Sequence, residues 1–84
     1  MRKSLRLNGG SEIGRSVEKS LDDYFRRLDG EPARNVYAMV VDHVERALLA
    51  SMMERAGGNQ TLAADMLGMN RSTLRAKLVK HKLA

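Results

Sequence analysis

Residues 57–84 read GGNQTLAADMLGMNRSTLRAKLVKHKLA, and this stretch decides the fold. It holds two candidate helices, about 60–67 and 71–81, preceded by Asn59 and Asn70 and separated by Gly68. Asparagine is a favoured N-cap because its short carbonyl accepts a backbone N–H from the open first turn. Gly68 can take positive φ without steric cost, so the chain can reverse there. Two short helices joined by a turn of about three or four residues containing glycine form a helix-turn-helix. Ala64 is small where the two helices must cross closely, and Leu67, Met69, Leu74 and Leu78 supply the apolar contacts between them. At about 100° per residue, Leu74 and Leu78 point inward together. Ser72, Arg75, Ala76, Val79 and Lys80 then fan around the open side, with Arg71 at its N-terminal edge.

Charge is confined to the same end. Arg55, Arg71, Arg75, Lys77, Lys80 and Lys82, set against Asp65 alone, account for the whole formal charge of +5. Basic and acidic residues cancel over positions 1–54. Such polarity implies a polyanionic partner, nucleic acid or an acidic surface. A membrane-lying helix would need bulky apolar anchors, and the second of these helices has only Leu74 and Leu78, both already required by the turn. No run of apolar residues is long enough to span a bilayer, and the lead lacks the apolar stretch of a secretory signal. The chain therefore reads as cytoplasmic, with no membrane partner.

Upstream, the chain of 84 residues reads as one all-α domain with no strand-like alternation. Residues 1–10, MRKSLRLNGG, form a basic lead expected to be mobile. A first helix is predicted over about 12–29, capped by Ser11 and ended at Gly30, with Ile13, Val17, Leu21, Tyr24, Phe25 and Leu28 on one stripe. A second is predicted over about 34–56, stopped by Gly57-Gly58. It carries Val36, Tyr37, Met39, Val40, Val41, Val44, Leu48, Leu49, Met52 and Met53, while Asp42, Glu45 and Arg46 crowd into a narrow polar strip. A helix apolar over so wide an arc needs cover from several sides, and a domain this small offers little. The economical solution is an intertwined homodimer in which residues 11–56 of two chains share one core, with Val36, Val40, Val44, Leu48 and Met52 at its centre. The methionines fit as adaptable core filler rather than as a cofactor box.

The open side of the last helix suits double-stranded DNA. A recognition helix enters the major groove with its N-terminal residues at base edges. Asn70, Arg71 and Arg75 are the candidate base readers, since Arg can bond guanine O6 and N7 and Asn can pair with adenine. Asn59, Gln60, Thr61, Thr73, Lys77 and Lys80 are candidate phosphate contacts, the first three at the N-terminus of the third helix. Each has a bland alternative, because Asn59 and Asn70 would cap helices whatever the function, and surface arginines are often merely solvated. The turn, the caps and the confined charge coincide in the same segment, and that coincidence favours DNA. An interaction module that dimerises and presents its basic end to a protein is the main rival. An enzyme is not expected: no glycine-rich phosphate loop follows a strand, and His43 and His81 have no companion at metal-ligand spacing. No cofactor and no metal is called for, and cysteine is absent.

The quoted C-terminal stretch, together with SVEKSLDDYFRRLDGEPARNVYAMVVDHVERALLASMMERAGGNQT upstream, resembles the Fis family, the bacterial factors for inversion stimulation. The resemblance covers roughly residues 16–84. The motif alone is also similar to the C-terminal DNA-binding domain of NtrC-type regulators, and the absence of an ATPase or receiver module favours the free-standing type. The resemblance implies a nucleoid-associated homodimer with its two reading heads set unusually close. Adjacent major grooves on straight DNA lie about 34 Å apart, so closer heads must bend the duplex, and sequence preference then follows deformability. It also implies DNA contacts at Asn59, Thr61, Asn70, Arg71, Thr73, Arg75, Lys77 and Lys80. Leu62, Ala76 and Val79 depart from the family's basic residues, so fewer phosphate contacts are expected. Gly57 replaces a basic residue in the turn associated with RNA polymerase contact, which weakens the case for transcription activation. Too few residues precede the first helix for the β-hairpin arm that stimulates inversion.

Overall fold

The computed structural model describes residues 11–84, and the N-terminal lead expected over residues 1–10 lies outside them. The order is α1 (Glu12–Leu28), α2 (Val36–Arg55), α3 (Gln60–Leu67) and α4 (Arg71–Lys80), with no strand among the described residues. The protein is all-α, with four helices as anticipated and ends displaced by a residue or two.

The helix α1 starts at Ser11, whose Oγ accepts the Gly14 N–H at 3.1 Å. Its left-handed terminating residue is Asp29 (φ 52°), one position before the expected Gly30, which is itself at φ 90°. A short polar side chain can occupy that region at modest cost. None of its residues is buried, and Ile13 and Phe25 are half exposed. The described residues up to Val36 belong to one compact unit and those from Tyr37 onward to another.

The helix α2 begins later than predicted, at Val36, because Asn35 adopts a left-handed conformation (φ 54°) that breaks the helical path. It ends in a Schellman turn, in which Gly58 N–H donates to the Met53 carbonyl at 3.0 Å and Gly57 N–H to that of Glu54 at 3.1 Å. The same closure ends α3, where Met69 N–H donates to the Ala64 carbonyl at 3.0 Å and Gly68, at φ 80°, to that of Asp65 at 3.2 Å. It recurs after α4, with Leu83 N–H on the Leu78 carbonyl at 2.8 Å and Lys82 in the left-handed position at φ 60°. The first two of these turns join helices and so set the angles among α2, α3 and α4.

Its core is small: Leu49 and Ala56 of α2 and its end, Ala63 and Ala64 of α3, and Leu74 and Leu78 of α4. Met53, Leu67, Met69 and Leu83 pack around it. Fully buried alanines let the α3 and α4 backbones approach, as the small residue at position 64 anticipates. Along α2, by contrast, Tyr37, Val41, Val44 and Leu48 remain exposed, Tyr37 at 82%. Their spacing of four, three and four residues makes one continuous seam.

Candidate nucleic-acid interface

Both asparagine caps form as anticipated. Asn59 Oδ1 accepts the Leu62 N–H at 3.0 Å. The first amides of a helix have no intrahelical acceptor, so those of Gln60 and Thr61 are left to an outside one. Asn59 and Thr61 are exposed. Gln60 is half-buried, and its Oε1 is enclosed without a hydrogen-bond partner among the described residues. Any contact from Gln60 to an anion would therefore use its backbone N–H or side-chain Nε2.

Asn70 is more committed. Its Oδ1 accepts both the Thr73 N–H at 2.9 Å and the Ser72 hydroxyl at 2.9 Å. A carbonyl oxygen has two lone pairs, so this one is saturated. Only the Nδ2 donors remain to face a ligand, and any pairing with adenine that also used Oδ1 would break the cap. Arg71, Ser72, Thr73 and Arg75 are all exposed. Arg71 and Arg75 form no ion pair among the described residues, whereas four other basic side chains and His81 do.

Lys77 and Lys80 leave α4 on the side away from Arg75 and meet acids of α2. Lys77 Nζ is 2.8 Å from Glu45 Oε2, and Lys80 Nζ is 3.1 Å from Asp42 Oδ1. The second oxygen of Glu45, Oε1, lies 2.8 Å from His81 Nε2, and the His81 side chain is only 7% exposed. Hydrogen bonds from Lys77 and then His81 hold the Glu45 carboxyl below its usual range despite partial burial. The Asp42 hydrogen bond and charge raise the ammonium of Lys80. Asp42, Glu45 and His81 offer ligand atoms within 4.8 Å of one another. Two lysine ammonium groups already occupy these carboxylates, so the cluster is an ion-pair network in which positive charge sits where a cation would. His43 Nδ1 donates to the Met39 carbonyl at 2.8 Å and stays on the surface of α2.

This network is what residue-by-residue reading missed. Its members stand 32 and 36 positions apart, and Asp42, Glu45 and Arg46 read only as a narrow polar strip on α2. The usable signal was that this strip bears acids while the final helix bears unmatched cations.

The five residues placed at the centre of a dimer core are not buried within one chain. Val36, Val40 and Met52 are half-buried, and Val44 and Leu48 are 41% and 46% exposed. No described helix is long and apolar enough to cross a membrane.

Residues 40–81 match the family described as bacterial regulatory protein, Fis family. A protein of Ralstonia nicotianae described as a Fis-like DNA-binding protein is 56% identical over 71 residues, spanning 84% of this chain and 92% of its own length. One from Pseudomonas aeruginosa with the same description is 47% identical over 74 residues, 88% of this chain and 71% of that protein. A third, from Neisseria meningitidis serogroup A, is 46% identical over 72 residues, covering 86% and 91%.

Proposed function

Because the chain belongs to the Fis family of bacterial regulatory proteins, we propose that it is a sequence-tolerant, DNA-bending homodimer acting on the bacterial nucleoid. The observation that carries this reading is α4: Arg71 and Arg75 stand exposed, without ion-pair partners among the described residues, one turn apart, directly after a capped helix start. A guanidinium in that state offers a bidentate donor fork to guanine or phosphate at no cost of breaking an existing pair. Asn70 Nδ2 adds a donor beside them. The N-terminus of α3, with Asn59, Gln60 and Thr61, faces a phosphate, and Thr73 and Lys80 contact the backbone from the flank. Lys80 exchanges Asp42 for a phosphate as it does so; that pair is exposed and weakened by solvent, so the exchange costs little.

Dimerisation rests on the apolar surface that one chain leaves open. The seam of Tyr37, Val41, Val44 and Leu48, with Val36, Val40 and Met52 beside it, is the surface a second copy covers, along with the apolar stripe of α1. Two chains then place two α4 helices on one face of a common hub, and bending lets both enter successive major grooves. Sequence preference follows the ease of bending more than base contacts, and the resulting role is chromosome organisation and transcription regulation without a cofactor.

Sedimentation equilibrium combined with circularly permuted DNA fragments tests the reading. A dimer that shifts fragment mobility according to the position of the site supports it. A monomer, or a complex whose mobility is independent of site position, refutes dimerisation or bending respectively. Unfolding midpoints should rise with protein concentration, as they must when folding and association are linked.

A further inference from the structure

Glu45 uses each carboxylate oxygen on a different partner, Lys77 in the last turn of α4 and His81, the residue that caps it, four positions on. At about 100° per residue, Leu74, Lys77, Leu78 and His81 share an arc of about 100° around the axis, with Arg71 about 20° and Arg75 about 60° beyond its Leu78 edge. Leu74 and Leu78 are fully buried, but two leucines fix how deeply a helix sits better than they fix its rotation, since apolar contact is non-directional. Hydrogen bonds to a charged group are directional and roughly twice as strong as neutral ones. A bridge to the last turn of α4 and to its cap, at 2.8 Å each, therefore resists rotation about the helix axis. Its hub is sheltered, with the Glu45 side chain 19% exposed, so solvent screens it less than the open pair of Asp42 and Lys80.

We infer that Glu45 is a positioning residue for the reading helix: by bridging Lys77 and His81 it sets the angle at which Arg71 and Arg75 meet a duplex. The inference rests on the DNA-binding reading above. With side chains reaching about 6 Å from the helix axis, a 20° rotation displaces their tips by about 2 Å. That exceeds the roughly 0.5 Å and 10–20° within which a functional constellation must be held. Lys77 accordingly belongs to the scaffold and not to the phosphate contacts.

Charge alone predicts the opposite effect, which makes the test decisive. Removing a carboxylate near a DNA-binding face strengthens binding to any DNA, whereas releasing the reading helix weakens binding only where base contacts matter. The full chain, as wild type, Glu45→Gln and Lys77→Gln, is titrated with a duplex selected by the wild type from a random pool and with a scrambled duplex of equal composition. Glu45→Gln should lose about tenfold or more on the selected duplex and none on the scrambled one. Lys77→Gln should lose selectivity while the slope of log affinity against log salt is unchanged. Amide NMR spectra of the free protein form the independent arm: in Glu45→Gln, resonances along α4 from Arg71 to Lys80 should shift while those of α3 stay in place. Equal gains on both duplexes, a salt slope shallower by about 0.9 in Lys77→Gln, as for one phosphate no longer neutralised, or unmoved α4 resonances would each overturn the clamp. Should wild type bind neither duplex, the DNA-binding reading itself fails, and the proposal with it, whatever the spectra show.

Discussion

Asn70 does two jobs that ordinary truncation would confuse, and Asn70→Asp separates them. Its Oδ1 accepts from Thr73 N–H and Ser72 hydroxyl, both at 2.9 Å, while its Nδ2 is free to face DNA. Asp retains an oxygen for both accepted bonds and ranks with Asn as an N-cap. Its charge at a helix N-terminus adds about 0.3–1 kcal/mol. The Asp variant should therefore fold with stability equal to the wild type or slightly above it. Asn70→Ala discards both bonds and should lose about 1 kcal/mol.

Binding should follow a different order. Toward DNA, alanine removes the donor and adds no charge. Aspartate removes the donor and places a negative charge against phosphates and purine acceptors. With roughly 1–3 kcal/mol for a good base contact, the Asp variant should bind at least about tenfold more weakly than wild type. Urea unfolding followed by circular dichroism measures the first quantity, and fluorescence anisotropy with a labelled duplex at fixed salt measures the second. Stability should rank Asp at or above wild type and Ala last; affinity should rank wild type first, Ala second and Asp last. If affinity tracks stability across the three proteins, Asn70 is a cap and nothing more, and α4 does not dock by its N-terminal end.

Arg75→Ala should weaken binding to a selected duplex far more than to a scrambled one, whereas Lys80→Ala should weaken both equally and flatten the salt slope by about 0.9, the share of a single neutralised phosphate; a gel shift across a salt series reads both. Lys82 sits at φ 60° in the turn after α4. A left-handed residue with a Cβ costs about 1–2 kcal/mol, part of which glycine returns through its more flexible unfolded chain, so Lys82→Gly should stabilise by about 0.5–1 kcal/mol in thermal unfolding. The Glu45 carboxyl is held below its ordinary value of 4.5 in the fold. A lowered carboxyl pKa stabilises the folded chain above the unfolded value and loses that contribution as pH falls through the folded one. The stability gap between wild type and Glu45→Gln should thus narrow as pH falls below 4.5 and close below the lower folded value; a gap that persists in acid would exclude the ion-pair origin.

The features legible in the sequence are those set by near neighbours. Asn59, Asn70 and Gly68 announce caps and a turn whose hydrogen bonds close within five residues, and the structure forms each of them. Leu74 and Leu78 follow from helical spacing and are fully buried. The start of α2 falls later than its apolar pattern suggests because Asn35 is left-handed, a conformation asparagine tolerates but apolar spacing does not register. Lys77 reads as a phosphate contact because cations on an exposed helix usually face solvent. Only the fold brings Glu45 within 2.8 Å of it. Asp42 and Glu45 of the polar strip of α2 turn to α4 and its cap, while apolar Tyr37 and Leu48 are left open.

That inversion has a mechanical consequence. Counting about 100° per residue, Glu45, Leu49, Met53 and Ala56 face the helix-turn-helix along one line of α2. Tyr37, Val41, Val44 and Leu48 run along another, roughly 110° away. One helix therefore carries two adjacent interfaces, a polar and directional one toward the reading head and an apolar one available to a second copy. Because Val44 and Glu45 are consecutive, any rotation of α2 that improves apolar packing between chains also displaces the carboxylate that orients α4. The spacing and tilt of the two reading heads are then properties of the dimer seam. A substitution such as Leu48→Ala, remote from DNA, should change the bend angle as well as the association constant. Measured bend angles that stay constant while dimer affinity falls would show that the two faces of α2 are mechanically independent.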